Sequence, residues 1–348
     1  MFNFLSAVLV FCITIFGVVL LRPLALRLDL IDTPDIRKQH QGNIPLIGGL
    51  AMLMGLLVGL LTLPISLQSY RSFIAGSALL VFVGMLDDFR ELSPKSRFFA
   101  QIAAVLLMIF WGNNYITHLG NLIFFKDIYL GHYTSLIVTL IAGLGIINAI
   151  NMIDGIDGLA GTLVLVELIL LIFAAMFTQH FSAASILLLM VTSVLGFLCF
   201  NFPFFSRAHA QVFMGDAGSM LLGFGLVWFL IELSQSNFRP ITPVTMLWIM
   251  SMPLFDATAV MLYRLIKGQS VVFSDRQHGH HLLLAVNFSP LQINILFGCT
   301  NFVLGLIGLC AFYYQFNESI MFMSFLLIFI IYFFVVNNCR NSFIKNKK

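Results

Sequence analysis

Apolar stretches long enough to cross a bilayer recur along the whole chain, separated by short polar segments. About 20 helical residues cross roughly 30 Å of hydrocarbon, so each stretch is typical of a transmembrane helix. Because no soluble segment interrupts the series, we expect an all-α polytopic membrane protein with a single domain over residues 1–348. The pattern predicts about eleven spans, at residues 2–21, 45–62, 71–86, 98–112, 133–150, 158–177, 184–202, 217–233, 242–263, 290–313 and 319–337.

Composition agrees with this pattern. Of the 348 residues, 60% are hydrophobic and only 9% are charged, whereas soluble domains carry about 25% charged residues. Lipid is therefore the expected main solvent of the protein, and no nucleic-acid partner is expected.

Charge predicts the orientation. Of the 18 Lys and Arg residues, all but Arg71, Lys126 and Arg239 fall in one set of connections. The positive-inside rule places that set in the cytoplasm, with the N-terminus periplasmic and the C-terminus cytoplasmic. Most of the acids share that side, at helix ends beside glycines and basic residues, which predicts a site at the cytoplasmic surface. These acids are Asp29, Asp32, Asp35, Asp87, Asp88, Glu91, Asp154, Asp157, Asp216 and Asp275.

Asp87 and Asp88 close the third predicted span. Two adjacent carboxylates at a membrane surface repel each other and lose hydration unless a cation or a basic side chain compensates them. The pair predicts a magnesium-linked phosphate site or a general base. The alternative is a solvated helix end that carries two acids.

A second cluster lies at the end of the fifth span. Asn148, Asn151 and Asp154 recur every three residues and so lie along one drifting helix face, and Asp154 and Asp157 are each followed by glycine. Amide and carboxylate oxygens on one face suit a hard cation or a sugar. Ordinary capping and turn chemistry explains one Asp-Gly pair but accounts less well for two pairs and two asparagines.

Asp216 lies between glycines at the start of the eighth predicted span. It could be an ordinary helix N-cap. A carboxylate at a helix N-terminus, where anions gather, also suits a metal-bridged pyrophosphate.

Three histidines, His278, His280 and His281, lie in the longest cytoplasmic connection. Their spacing is reminiscent of a zinc site, but no cysteine is near and basic residues such as Arg264 favour an anion. Histidine can donate hydrogen bonds to phosphate or stack on a base. Phosphate or nucleotide binding is therefore favoured over zinc or a surface accident.

The segment 32–40 contains Arg37 and Lys38, which fit either a clamp for a lipid phosphate or the positive-inside rule alone. Inside the spans, Glu167 and Asp256 are costly acids. For both, a structural hydrogen bond is the expected role.

Together these motifs resemble the polyprenyl-phosphate N-acetylhexosamine-1-phosphate transferase superfamily over nearly the whole chain. The matching elements are the Asp-Asp pair at 87–88, the Asn/Asp-Gly run at 148–158, Phe-Met-Gly-Asp-x-Gly-Ser at 213–219 and His-x-His-His at 278–281. The segments 32–40 and 275–281 resemble the branch that transfers N-acetylglucosamine 1-phosphate. The branch that acts on MurNAc-pentapeptide typically has three consecutive histidines, and here Gly279 interrupts them.

The resemblance implies transfer of N-acetylglucosamine 1-phosphate from UDP-GlcNAc to undecaprenyl phosphate, with Mg²⁺ or Mn²⁺, at the bacterial inner membrane. The product would begin a surface glycan such as lipopolysaccharide O-antigen. The same reaction with UDP-GalNAc or UDP-MurNAc-pentapeptide is the alternative. The family fold is a helical bundle, often dimeric, with a cytoplasmic cleft and a groove for lipid.

The resemblance also implies roles for individual residues. The catalytic residues implied are Asp87, Asp88, Asp154 and Asp157. The metal ligands implied are Asp216, Asn151 and Asp88. The substrate-binding residues implied are Lys38, Arg97, Asn148, Arg264, His278, His280 and His281.

Two other classes of function are a transporter and a non-catalytic scaffold of lipid assembly. A transporter usually places its charged residues near the midplane, often in inverted repeats, whereas these acids gather at one surface and no repeat is visible. A non-catalytic scaffold of lipid assembly would tolerate neutral substitution of the acids.

Overall fold

The computed structural model describes residues 4–32, 42–90, 92–124, 126–204, 209–269 and 278–346. Within these ranges nearly all regular structure is helical. The helices are α1 (Phe4–Arg27), α2 (Gly48–Thr62), α3 (Arg71–Arg90), α4 (Pro94–Phe110), α5 (His132–Ile153), α6 (Leu159–Phe177), α7 (Phe181–Asn201), α8 (Gly215–Ser234), α9 (Pro243–Ile249), α10 (Ser251–Ile266), α11 (Gly279–Ala285), α12 (Pro290–Tyr313) and α13 (Glu318–Asn346).

Eight of the described helices are long and apolar enough to cross a membrane, or nine if the bent pair α9 and α10 forms one span. This confirms the expected all-α polytopic architecture. Two predicted spans are shorter helices, since α2 has 15 residues and α4 has 17. The number of eleven spans and the orientation of the termini stay predictions.

The predicted span at 242–263 is not one continuous helix. It consists of α9 and α10, which meet at an angle of 82°. The backbone leaves the helical path at Met250, and the side chain of Asn301 from α12 bonds to backbone groups on both sides of the break. A buried amide can replace the lost helical hydrogen bonds in this way, and the apolar pattern of the sequence gives no sign of it.

Helix α8 forms the centre of the bundle. In an apolar stretch of 18 residues in α8, 94% of the residues are buried, against 22% in such a stretch of α13. Helices α2, α3, α5 and α6 pack around α8. The start of α8 is therefore the point where several helix ends meet.

A two-strand sheet ties the α1–α2 connection to that point. Strand β1 (Ile31–Asp32) pairs antiparallel with β2 (Ile44–Pro45). Beyond β2, the N–H of Gly48 donates to the carbonyl of Phe213 (3.0 Å), just before α8. The second predicted span thus begins as strand and becomes helical only at Gly48.

Gly84 brings the end of α3 close to the start of α8. A Cβ added to Gly84 would overlap the backbone of Ala217 and lie 2.9 Å from the carbonyl carbon of Asp216. Only glycine allows this approach without moving a backbone. The acids that follow Gly84 on α3 are thereby set beside the first turn of α8.

We expect Gly84→Ala to lower the free energy of unfolding by about 1–3 kcal/mol, because the added methyl group meets backbone that cannot rotate away. Gly145→Ala on α5 is the matched control, since a Cβ there has nothing within 4 Å. Thermal unfolding of both variants in detergent measures the difference. Equal stability of the two variants would contradict the close packing of α3 against α8.

Candidate active site

Asp88 caps helix α8. Helix α3 continues through Asp87 and Asp88 to Arg90, beyond the predicted end at residue 86. The Asp88 carboxylate accepts the backbone N–H groups of Asp216 (3.0 Å) and Ala217 (3.4 Å). Gly215, the first residue of α8, has φ +68°, and a Cβ there would meet this carboxylate. The two N–H groups at the positive end of α8 thus offset part of the cost of burying the Asp88 carboxylate.

Arg97 is the basic partner of Asp87 and Asp216. Its Nη1 lies 3.3 Å from Asp87 Oδ2 and also donates to Asp216 Oδ2. The other oxygen of Asp87, Oδ1, is buried and has no hydrogen-bond partner in the described part of the chain. Arg97 extends from the first turn of α4, whose N-cap Ser93 accepts the N–H of Ser96. One guanidinium therefore joins acids from α3 and α8.

The cluster at the end of the fifth predicted span also reaches the first turn of α8. Asn151 Nδ2 donates to Asp216 Oδ1 (2.6 Å) and to Ser219 Oγ (2.8 Å). Asp154 follows the end of α5, where burial raises the pKa of its carboxyl to about 7 and the carboxylates of Asp216 and Asp157 act in the same direction. The acidic residues at 87, 88, 154 and 216 therefore interact as one electrostatic unit.

Asp157 accepts a hydrogen bond from the backbone segment that leads into α8. Its Oδ2 accepts the N–H of Ala210 (2.8 Å). The turn at 154–158 is also linked to α7, since Asn201 Oδ1 accepts the N–H of Gly158 (2.9 Å). The second Asp-Gly pair thus fixes a loop as well as contributing charge.

Asp256 holds the histidine segment. Its Oδ2 lies 2.7 Å from His278 Nδ1, and its Oδ1 accepts the N–H of Gly279 (2.7 Å) and the hydroxyl of Tyr332 (3.0 Å). This confirms the structural hydrogen bond expected for Asp256. The segment is not all loop, because the short helix α11 starts at Gly279.

His280 lies against the acidic turn. A Cβ on Gly155 would meet His280 Nε2, and the ring of His281 is 4.2 Å from that of His280, between centroids. His280 is fully buried, and burial lowers the pKa of its imidazole to about 3. The ring is therefore neutral and can offer a hydrogen bond but no charge.

For three predicted substrate-binding residues, Asn148, Arg264 and Lys38, the structure does not test contact with a substrate. Asn148 Nδ2 donates to Gln101 Oε1 (2.7 Å) and joins α5 to α4. Arg264 is buried near the end of α10. Lys38 lies outside the described residues. Contact of these three residues with a substrate stays a prediction.

Several side chains that bond to the site residues are not predictable from the sequence. Ser219 belongs to the motif at 213–219, but the motif gives no role for its hydroxyl. Gln101 and Tyr332 gave no signal, because an isolated polar residue in an apolar span is unremarkable until its partner is known. The hydrogen bond expected for Glu167 is present, from Asn301 Nδ2 to Glu167 Oε1 (3.4 Å).

The donor atoms fit a hard divalent cation. Within the described ranges no group of three or more His, Cys, Asp or Glu side chains is already arranged around a metal position. The available donors near α8 are nevertheless carboxylate and amide oxygens, which Mg²⁺ prefers. The buried, unpartnered Oδ1 of Asp87 is one of them. Arg97 supplies positive charge among the same oxygens.

The chain is similar to known proteins over the region that contains these residues. A family model described as glycosyl transferase family 4 matches residues 70–234, which include the acids from Asp87 to Asp216. Proteins named undecaprenyl-phosphate alpha-N-acetylglucosaminyl 1-phosphate transferase are 36% identical to the chain. The one from Escherichia coli K12 aligns over 94% of this chain and 89% of its own length. For Salmonella typhi the shares are 97% and 93%, and for Yersinia pestis 89% and 85%. The chain belongs to glycosyl transferase family 4.

Proposed function

We propose that the protein transfers N-acetylglucosamine 1-phosphate from UDP-GlcNAc to undecaprenyl phosphate and releases UMP. The observation that carries this proposal is the meeting of acids from α3 and α8 around one arginine, with Asp154 of the α5–α6 turn close enough to interact with Asp216. The names of relatives aligned over nearly the whole chain support the choice of substrates.

The reaction joins two anions. An oxygen of the lipid phosphate attacks the phosphorus that carries the sugar, a new P–O bond forms, and the pyrophosphate bond to UMP breaks. Such a transfer needs in-line positioning and neutralised oxygens more than covalent help from the protein. When bound, Mg²⁺ supplies charge neutralisation on the pyrophosphate oxygens.

The residues around α8 divide these tasks. Asp216, with Asn151 and Asp88, would hold the cation, as the family pattern implies. Asp88 also orients Asp216 through the backbone of α8. Asp87 orients or deprotonates the acceptor phosphate through its free oxygen. Arg97 offers its guanidinium to phosphate oxygens as the substrates arrive.

The opposite wall of the site binds the nucleotide sugar. Asp154 and Asp157 hold the nucleotide or the shell of the cation. His278, His280 and His281 donate to phosphate oxygens, with His280 acting as a neutral donor because of its burial. Arg264 and Lys38 would supply positive charge to the substrate phosphates.

The remaining features follow from the membrane fold and the family. The protein lies in a bacterial inner membrane with its site on the cytoplasmic face, as the distribution of basic residues indicates. The product is the first lipid-linked intermediate of a surface glycan such as O-antigen, and the chain functions as a homodimer.

With purified protein and undecaprenyl phosphate, we expect UMP release from UDP-GlcNAc at a rate at least about tenfold above that from UDP-GalNAc or UDP-MurNAc-pentapeptide. Parallel assays with radiolabelled sugars measure lipid-linked product. Faster turnover of another sugar, or sugar uptake by proteoliposomes without UMP release, would overturn the proposal.

Asp216→Asn and Asp87→Asn should each lower kcat at least about a hundredfold, since each keeps the side-chain shape and removes one charge from the site. Asp127→Asn, an exposed acid outside the cluster, is the control and should keep the wild-type rate. Thermal unfolding verifies that all three variants fold. Near-wild-type rates of both site variants at saturating Mg²⁺ would remove these acids from the mechanism.

Chelation of divalent cations with EDTA should abolish product formation, and added Mg²⁺ or Mn²⁺ should restore it, because the oxygen donors suit hard cations. Initial rates across a metal titration measure this. A full rate in EDTA, or recovery only with Zn²⁺, would contradict the assignment of the metal ligands.

A further inference from the structure

The break between α9 and α10 depends on one asparagine. Asn301 of α12 accepts the N–H of Met252 (3.0 Å) and the hydroxyl of Ser251 (3.2 Å) at Oδ1. Its Nδ2 donates to the carbonyl of Ile249 (3.2 Å). Asn301 is fully buried. Because backbone groups freed inside a membrane must find partners within the protein, this side chain stabilises the 82° bend.

Glu167 of α6 supports Asn301 from the other side. Its Oε1 accepts Asn301 Nδ2 (3.4 Å), while Oε2 is buried with no hydrogen-bond partner among the described residues. Glu167 is 0% exposed. A buried acid inside a span is costly, and a leucine would fill the same space without this cost. The contact with Asn301 is the feature that can account for an acid here.

A second asparagine on α12 reaches the acidic turn. Asn294 precedes Asn301 by seven residues, so both lie on the same face of the helix. Asn294 Nδ2 donates to the carbonyl of Asp157 (2.8 Å). One face of α12 therefore bonds to the turn that carries Asp154 and Asp157 and, two helical turns further, to the break before α10.

Helix α10 carries this constraint to the histidines. Asp256 lies six residues after Met250 and binds His278 and the first N–H of α11. His280, two residues after His278, lies against Gly155 of the acidic turn. A shift at the break would therefore move the histidines relative to Asp154.

We propose that Glu167, Asn294 and Asn301, named here the α12 brace, are positioning residues that set the distance between the histidine segment and the acidic turn. None of the three bonds to a catalytic side chain directly in the described structure. They act through the Asp157 backbone and through the start of α10. This inference rests on the proposed function, because it concerns the alignment of the same site.

Variants of the brace should separate activity from stability. We expect Asn301→Leu and Asn294→Leu to lower kcat at least about tenfold with KM for UDP-GlcNAc changed less than about threefold, because misplacement of reacting groups acts on turnover. Asn114→Leu is the matched control, since Asn114 is a buried asparagine that donates to a backbone carbonyl, that of Trp228 (2.9 Å), away from the acids. Its kcat should stay within about twofold of wild type.

Glu167 gives the sharper test. Glu167→Leu removes an acid with an unpartnered oxygen and should leave the thermal midpoint unchanged or higher, yet lower kcat at least about threefold. Glu167→Gln keeps an acceptor for Asn301 and should restore kcat to within about twofold of wild type. A merely structural acid would change stability and turnover together.

Hydrogen exchange reports positioning without substrate. Backbone amides of residues 279–286 should exchange faster in Asn301→Leu and Glu167→Leu than in wild type or Asn114→Leu. Unchanged exchange together with wild-type kcat in the Glu167→Leu and brace asparagine variants would overturn the inference. So would a low kcat in Glu167→Gln equal to that of Glu167→Leu. A wild-type protein without transferase activity would instead refute the proposed function. The exchange data alone would then show whether the α12 brace positions the histidine segment.

Discussion

The charge balance at the first turn of α8 is the constraint on which the rest of the site depends. Asp87, Asp88 and Asp216 lie side by side where α3 meets α8, and like charges this close repel strongly in a partly buried setting. Two positive groups balance them. Arg97 joins Asp87 to Asp216, and the backbone N–H groups of α8 hold Asp88. Both lower the electrostatic cost of bringing the two helix ends together.

This balance explains the layout of the fold around the site. Helix α8 is central and buried, so the helices around it can bring their ends to its first turn. Gly84 removes the steric barrier on the α3 side. Asn151 approaches from α5, and His280 closes the other side of the acidic turn. Acids that would otherwise repel one another are thereby held together, where they can bind a cation and phosphates.

Much of this could be predicted from the sequence, because acids and glycines at the ends of apolar stretches are visible in one dimension. The pairing of Asp88 with the helix N-terminus, the role of Arg97 between two acids and the bend at Met250 were not predictable, since each depends on a partner far along the chain. Asn301 is the clearest case. A lone asparagine in an apolar span carries no pattern, and its importance appears only beside the broken backbone. Lys38 lies outside the described residues, so the lipid-phosphate clamp stays a prediction.

The coupling between Arg97 and Asp216 tests the central claim most directly. Free energies of unfolding for Arg97→Met, Asp216→Asn and the double variant form a thermodynamic cycle. If one guanidinium balances the acid cluster, the two substitutions should be non-additive by about 1 kcal/mol or more, even with partial exposure of the arginine. Additivity within about 0.5 kcal/mol would show that the two side chains do not interact and would contradict the account.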